Sequence, residues 1–125
     1  MRNRIVMLGV AMLLAPQVAR ADYLDVITTR LGDCSLEKYM TIVDEFRGVM
    51  KQQKYPYAVE IAVPLINNDL DAVYWIGRTA DLASFATGVT RWEGEIAKKG
   101  TPEAKVNAKL DACGESVSRS GQVTR

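Results

Sequence analysis

Residues 57–80 read YAVEIAVPLINNDLDAVYWIGRTA, two runs of β-forming residues joined by a loop rich in Asn and Asp. The first run puts Tyr57, Val59, Ile61 and Val63 on one side and Ala58, Glu60 and Ala62 on the other. That period of two marks a half-buried strand. The second run, Ala72–Thr79, holds Val73, Tyr74, Trp75 and Ile76 in a row, and β-branched and aromatic side chains suit a pleated, half-buried surface. A hairpin of this kind has to cover one of its faces. The helical patterns on either side of it in the chain supply the covering layer.

Residues 1–21 open with Arg2 and Arg4, continue through an apolar stretch over 5–15, and close on Pro16 and Ala19-Arg20-Ala21. Charged, apolar and small residues in that order read as a secretory signal peptide cleaved after Ala21. The apolar stretch falls short of the ~20 residues that a membrane span needs, and no Cys follows for lipid attachment. The expectation is a periplasmic or secreted protein, with no stable membrane insertion after cleavage and a single domain over 22–125. Arg2, Arg4 and Arg20 leave with the signal, so 13 of the 16 basic residues remain against 15 acidic ones. That near-balance argues against nucleic acid as a partner, because duplex binding relies on a concentrated basic surface.

Histidine is absent from the chain. Its absence removes the usual proximal haem ligand, the commonest transition-metal ligand and the base of Ser-His and Cys-His pairs. The two cysteines, Cys34 and Cys113, cannot complete a four-ligand zinc site without histidine, and their spacing is not that of a redox-active CxxC pair. In an oxidising compartment they are expected to pair with each other. A bridge closing about 80 residues stabilises a fold by roughly 4 to 5 kcal/mol in the chain-entropy account. Asn67, Asn68, Asp69 and Asp71 offer oxygen ligands, but their loop lacks the Gly and distal Glu of an EF-hand and reads as a solvated turn. No cofactor and no metal is therefore expected.

Tyr23–Arg30 reads as a further strand, with Leu24 and Val26 on one face and Tyr23, Asp25 and Ile27 on the other, stopping at Gly32-Asp33. Ser35 can cap a helix whose residues Leu36, Tyr39, Met40, Val43, Phe46 and Met50 share one side. It should run to about Gln53, since Pro56 disfavours helical geometry at the residue before it. After the hairpin, Asp81 or Thr79 can cap a second helix with Leu82, Phe85, Ala86, Val89 and Ile96 as one buried stripe, ending at Lys98-Lys99-Gly100. Phe46 and Phe85 are thus expected to be buried in one core. Thr101-Pro102-Glu103 restarts a helix, with Val106, Leu110 and Cys113 on one side of it. Beyond Gly114 the tail is polar, and Val117 and Val123 suggest a weak closing strand.

The order predicts an α+β fold, a ferredoxin-like split βαββα(β) with an antiparallel sheet and the helices on one face. The end of the first strand and the end of the last helix then fall on one edge of the sheet, where Cys34 and Cys113 sit. An arrangement with helices split across the sheet is the competing possibility. In this order of elements over roughly 23–123, and in YWIGR at 74–78 leading into a helix, the chain resembles the dimeric α/β barrel superfamily. The resemblance implies subunits that pair sheet to sheet, hence a homodimer. Members of that superfamily include cofactor-free monooxygenases, haem-using enzymes and small proteins of undefined role, so the fold does not choose an activity.

The helix-covered face is expected to hold Leu24, Val26, Val59, Ile61, Val63, Val73 and Trp75. The other face would carry Tyr23, Asp25, Ile27, Ala58, Glu60, Ala62, Tyr74, Ile76 and Arg78. On it Asp25, Glu60, Tyr74 and Arg78 are candidates for orienting a polar ligand, while salt bridges at a dimer contact or on a wet surface are the plainer account. Trp92, beside Arg91 and Glu93, reads as packing at a helix border or as a stacking surface. Two functions fit: a non-enzymatic, homodimeric binding or interaction protein of undefined specificity, whose uncovered sheet face forms the subunit contact with room for a small-molecule ligand, or a cofactor-independent, monooxygenase-like enzyme acting on a small organic substrate, with Tyr74, Arg78 and an acid near its pocket. Polar groups aimed at a ligand in a closed pocket would favour the enzyme, and a filled interface the binder.

Overall fold

A computed structural model describes residues 22–65 and 71–125; the signal-peptide reading of 1–21 and the loop residues Asn67, Asn68 and Asp69 lie outside the described residues. Within them the order is β1 (Tyr23–Arg30), α1 (Leu36–Gln52), β2 (Ala58–Ala62), β3 (Ala72–Thr79), α2 (Leu82–Ile96), α3 (Pro102–Cys113) and β4 (Glu115–Val123). The four strands form one antiparallel sheet in the order β2-β3-β1-β4. This is the ferredoxin-like arrangement. Among the described residues no helix is long and apolar enough to cross a membrane.

Local chemistry accounts for the helix ends. Ser35 Oγ accepts the Lys38 N–H (3.1 Å), Asp81 Oδ1 that of Ser84 (2.7 Å) and Thr101 Oγ1 that of Ala104 (3.1 Å), each satisfying a donor that the first helical turn leaves open. At the far end of α1 the Tyr55 N–H reaches back to Met50 O (2.9 Å) and the Lys54 N–H to Lys51 O (3.3 Å). Lys54 takes the left-handed conformation at φ 56°, so this is a Schellman end. It turns Tyr55 back into the core ahead of Pro56.

One side of α1 supplies most of the core, through Tyr39, Ile42, Val43, Phe46, Val49 and Met50. Val59, Val73 and Trp75 meet it from the sheet, and Val106 and Cys113 from α3. The α2 stripe differs from expectation: no residue of that helix is buried. It lies over the sheet as a cover with space beneath it.

The closing strand is nine residues long and pairs with β1 along its whole length, with an irregularity between Thr28 and Thr29. Every residue of it is exposed, so backbone pairing makes it a strand without an apolar stripe to announce it. Cys34 and Cys113 are joined, their Cα atoms 5.1 Å apart, and the bridge ties the start of α1 to the end of α3.

Candidate functional site

The register places side chains on the two sheet faces. On β3, Val73, Trp75, Gly77 and Thr79 face the helices and Ala72, Tyr74, Ile76 and Arg78 face away, as the alternation suggested. On β1 the expectation is reversed. Asp25 pairs with Gly77 and Ile27 with Trp75, whereas Leu24 pairs with Arg78 and Val26 with Ile76. Tyr23, Asp25 and Ile27 therefore lie on the helix side, and Leu24 and Val26 on the uncovered side. The reason is that both faces of β1 carry apolar residues, so burial had to be decided by what Asp25 meets.

Asp25 is 2% exposed and its carboxylate is fully engaged. Arg119 Nε donates to Oδ1 (2.8 Å) and Nη2 to Oδ2 (2.9 Å), the bidentate geometry in which guanidinium binds carboxylate best. The Tyr57 hydroxyl donates to Oδ2 (2.9 Å), and the Trp75 indole N–H donates in turn to the Tyr57 oxygen (2.7 Å). Burial pushes the Tyr57 pKa well above the phenol range, and the Asp25 charge adds to it. The hydrogen bond to Asp25 likewise raises that of Arg119. Burial and the Asp25 charge both hold Tyr57 in its protonated form, as a donor to Asp25.

Glycines on both neighbouring strands make room for this network. Gly77 of β3 and Gly121 of β4 flank Asp25 across the sheet. A Cβ on Gly77 would collide with the Tyr57 hydroxyl, and one on Gly121 with that of Tyr23. Gly77→Ala should displace the Tyr57 phenol and cost about 1 to 3 kcal/mol, the usual penalty for overfilling a packed site. A fall in the urea midpoint would register it; an unchanged midpoint would show that the phenol does not lie across this glycine.

Between the sheet and the α2–α3 cover lies a partly open cavity of about 330 Å³. Aromatic side chains dominate its wall, with Phe46, Tyr55, Tyr57, Trp75, Phe85 and Trp92 among them. Phe46 is the hub, its ring 4.7 Å from that of Trp75 and 5.4 Å from that of Trp92, both edge to face. Asp25 and Arg119 lie at the sheet side of this lining, while α2 contributes Glu93 and α3 contributes Asn107 and Asp111.

The sequence candidates separate. Asp25 and Trp92 line the cavity, Trp92 within the inward stripe of α2 rather than beside it. Glu60, Tyr74 and Arg78 sit on the opposite, uncovered face, where Glu60 pairs in register with Ile76, and Ala62 with Tyr74. Arg78 Nη1 donates to Asp22 (2.7 Å) at the start of β1, not to Asp25 or Glu60. Sequence reasoning missed Arg119, Tyr57 and Gly77. The signal for Arg119 was its place in a period of two with Gly121 and Val123, which puts it across from β1 once the tail is taken as a full strand.

No family model and no curated protein matches this sequence. Among solved structures it is similar to SnoaB, a cofactor-independent oxygenase from Streptomyces nogalater, with a TM-score of 0.52 at 10% identity over 84% of this chain and 92% of that one. It is similar also to the hydroxynitrile lyase from Passiflora edulis, with a TM-score of 0.53 at 10% identity over 85% of this chain and 94% of that one. The chain has a ferredoxin-like α+β fold. At such identities the likeness is one of fold, and the site has to be read from its own residues.

Proposed function

We propose that this chain is an exported, non-enzymatic binding protein that holds a small molecule under α2 and works as a homodimer. The observation that carries the reading is that the polar groups at the sheet side of the cavity, Asp25, Arg119, Tyr57 and Trp75, are bonded to one another. A catalytic acid or base needs a free proton-transfer partner aimed at the substrate, and Tyr57, held protonated between Trp75 and Asp25, has none to spare. The aromatic wall offers binding area, as in most small-molecule sites. Homodimer formation is supported by the uncovered face, where Leu24, Val26, Tyr74 and Ile76 lie side by side on β1 and β3; an apolar patch of this kind commonly marks a contact surface. Export is supported by the pattern of residues 1–21 and by the Cys34–Cys113 bridge.

Native mass spectrometry of protein purified from the periplasm tests the reading in one measurement. The expected spectrum is a dimer that carries a small molecule, which is released unchanged. A monomer with nothing bound at high concentration would reject it. A retained molecule whose mass shifts on incubation would replace it with the cofactor-independent enzyme, the activity class that the fold neighbour SnoaB represents.

A further inference from the structure

The cavity under α2 combines two properties that together specify a charge type. Its wall is aromatic, and its charged lining is unbalanced: among the described residues Asp25, Glu93 and Asp111 face it against one cation, Arg119. Arg119 is itself consumed by its two bonds to Asp25, so the acids of the cover, Glu93 on α2 and Asp111 on α3, are left in excess. Asp111 accepts a bond from the neutral amide of Asn107 (3.2 Å), and among the described residues no basic side chain engages Glu93. Behind the wall, Glu103 is 2% exposed and receives the Tyr55 hydroxyl (3.2 Å), while Arg91 lies over the outer face of the Tyr55 ring at 4.0 Å. Those two offset each other, and the excess of negative charge at the lining remains.

Aromatic faces carry negative potential and attract organic cations, most of all where water is partly excluded. The protein's own groups already use this attraction at the site, since the Arg119 guanidinium stands 5.8 Å from the centre of the Phe85 ring. Anions would meet the opposite field. Resting on the small-molecule-binding reading above, we infer that the ligand of this cavity is an organic cation with an apolar body, a quaternary or protonated amine whose charge lies between the ring of Trp92 and the carboxylates of Glu93 and Asp111.

Isothermal titration of the purified full-length mature protein with three probes of similar size tests the inference: phenyltrimethylammonium, its neutral isostere tert-butylbenzene, and benzoate. The cation should bind at least fivefold more tightly than the isostere, with benzoate weakest, as expected from a partly desolvated cation–aromatic contact with rim carboxylates. The double variant Glu93→Gln, Asp111→Asn should lose about fivefold in affinity for the cation and leave the isostere unchanged. Both side chains are exposed, so the substitutions leave the core intact, and an unchanged melting temperature checks this. If the isostere or benzoate binds as tightly as the cation, or if the double variant binds the cation like the parent, the inference is overturned while the cavity stands as a binding site. If none of the three binds, the binding reading itself falls.

Discussion

Replacing Cys34 and Cys113 together with Ser should lower the unfolding free energy by about 4 to 5 kcal/mol. The bridge spans 79 positions, and in the chain-entropy account closing so long a loop removes that much conformational freedom from the unfolded chain. The native contribution has the same sign, because Cys113 is 3% exposed and packs with Val106 against α1, where a hydroxyl would be buried at a cost. For a domain of this size, whose total stability is of the order of 5 to 15 kcal/mol, the loss is a large share. Urea unfolding of the variant and parent measures it. Thiol labelling of the denatured, unreduced parent should find no free cysteine. Two labelled thiols per chain, or a loss below ~1 kcal/mol, would refute the structural role of the bridge.

Phe46→Ala should cost about 3 to 5 kcal/mol, the range for removing a buried Phe side chain and leaving a cavity. Phe46 is enclosed between α1 and the sheet, with the rings of Tyr57, Trp75 and Trp92 around it. Tyr57 and Trp75 are themselves tied into the Asp25 network, so the hole cannot close by a simple inward shift. Phe85, which the sequence pattern equates with Phe46, lies on a helix without a buried residue and is only partly covered. Its ring still touches that of Tyr23, with centroids 4.5 Å apart, and Phe85→Ala should cost about 1 to 2 kcal/mol, in proportion to the smaller area withdrawn from water. The contrast between the two variants in one denaturation series measures how loosely α2 covers the sheet. Equal losses would mean that α2 is packed as tightly as α1, with no cavity beneath it.

Much of the architecture was legible because the rules that produce it are local. The bounds of β1, β3 and α3 and the caps at Ser35, Asp81 and Thr101 follow from residues within a turn or two of each other. The pairing of the cysteines was expected from their number and from the oxidising compartment that the leader pattern suggests, and the bridge joins them. The strand β4 was legible only as a trace, since Glu115–Val123 buries no side chain and owes its conformation to backbone bonds with a strand some ninety residues earlier.

Sequence alone determined the order of elements, the antiparallel α+β layering and the lack of histidine chemistry, all of which depend on composition and on periods of two or three to four residues. Tertiary structure decided which way Asp25 points, and with it the site. On β1 the two faces are nearly equal in apolar content, so a rotation of the strand by one residue is close to neutral in hydrophobic terms. The choice was made by partners far away in the chain: Arg119, 94 positions on, to compensate the carboxylate, Tyr57 and Trp75 to complete its hydrogen bonds, and glycines on both adjacent strands to admit the phenols. A buried charge is tolerable only when all of these meet at once. That requirement is a property of the assembled sheet, which no window along the chain contains.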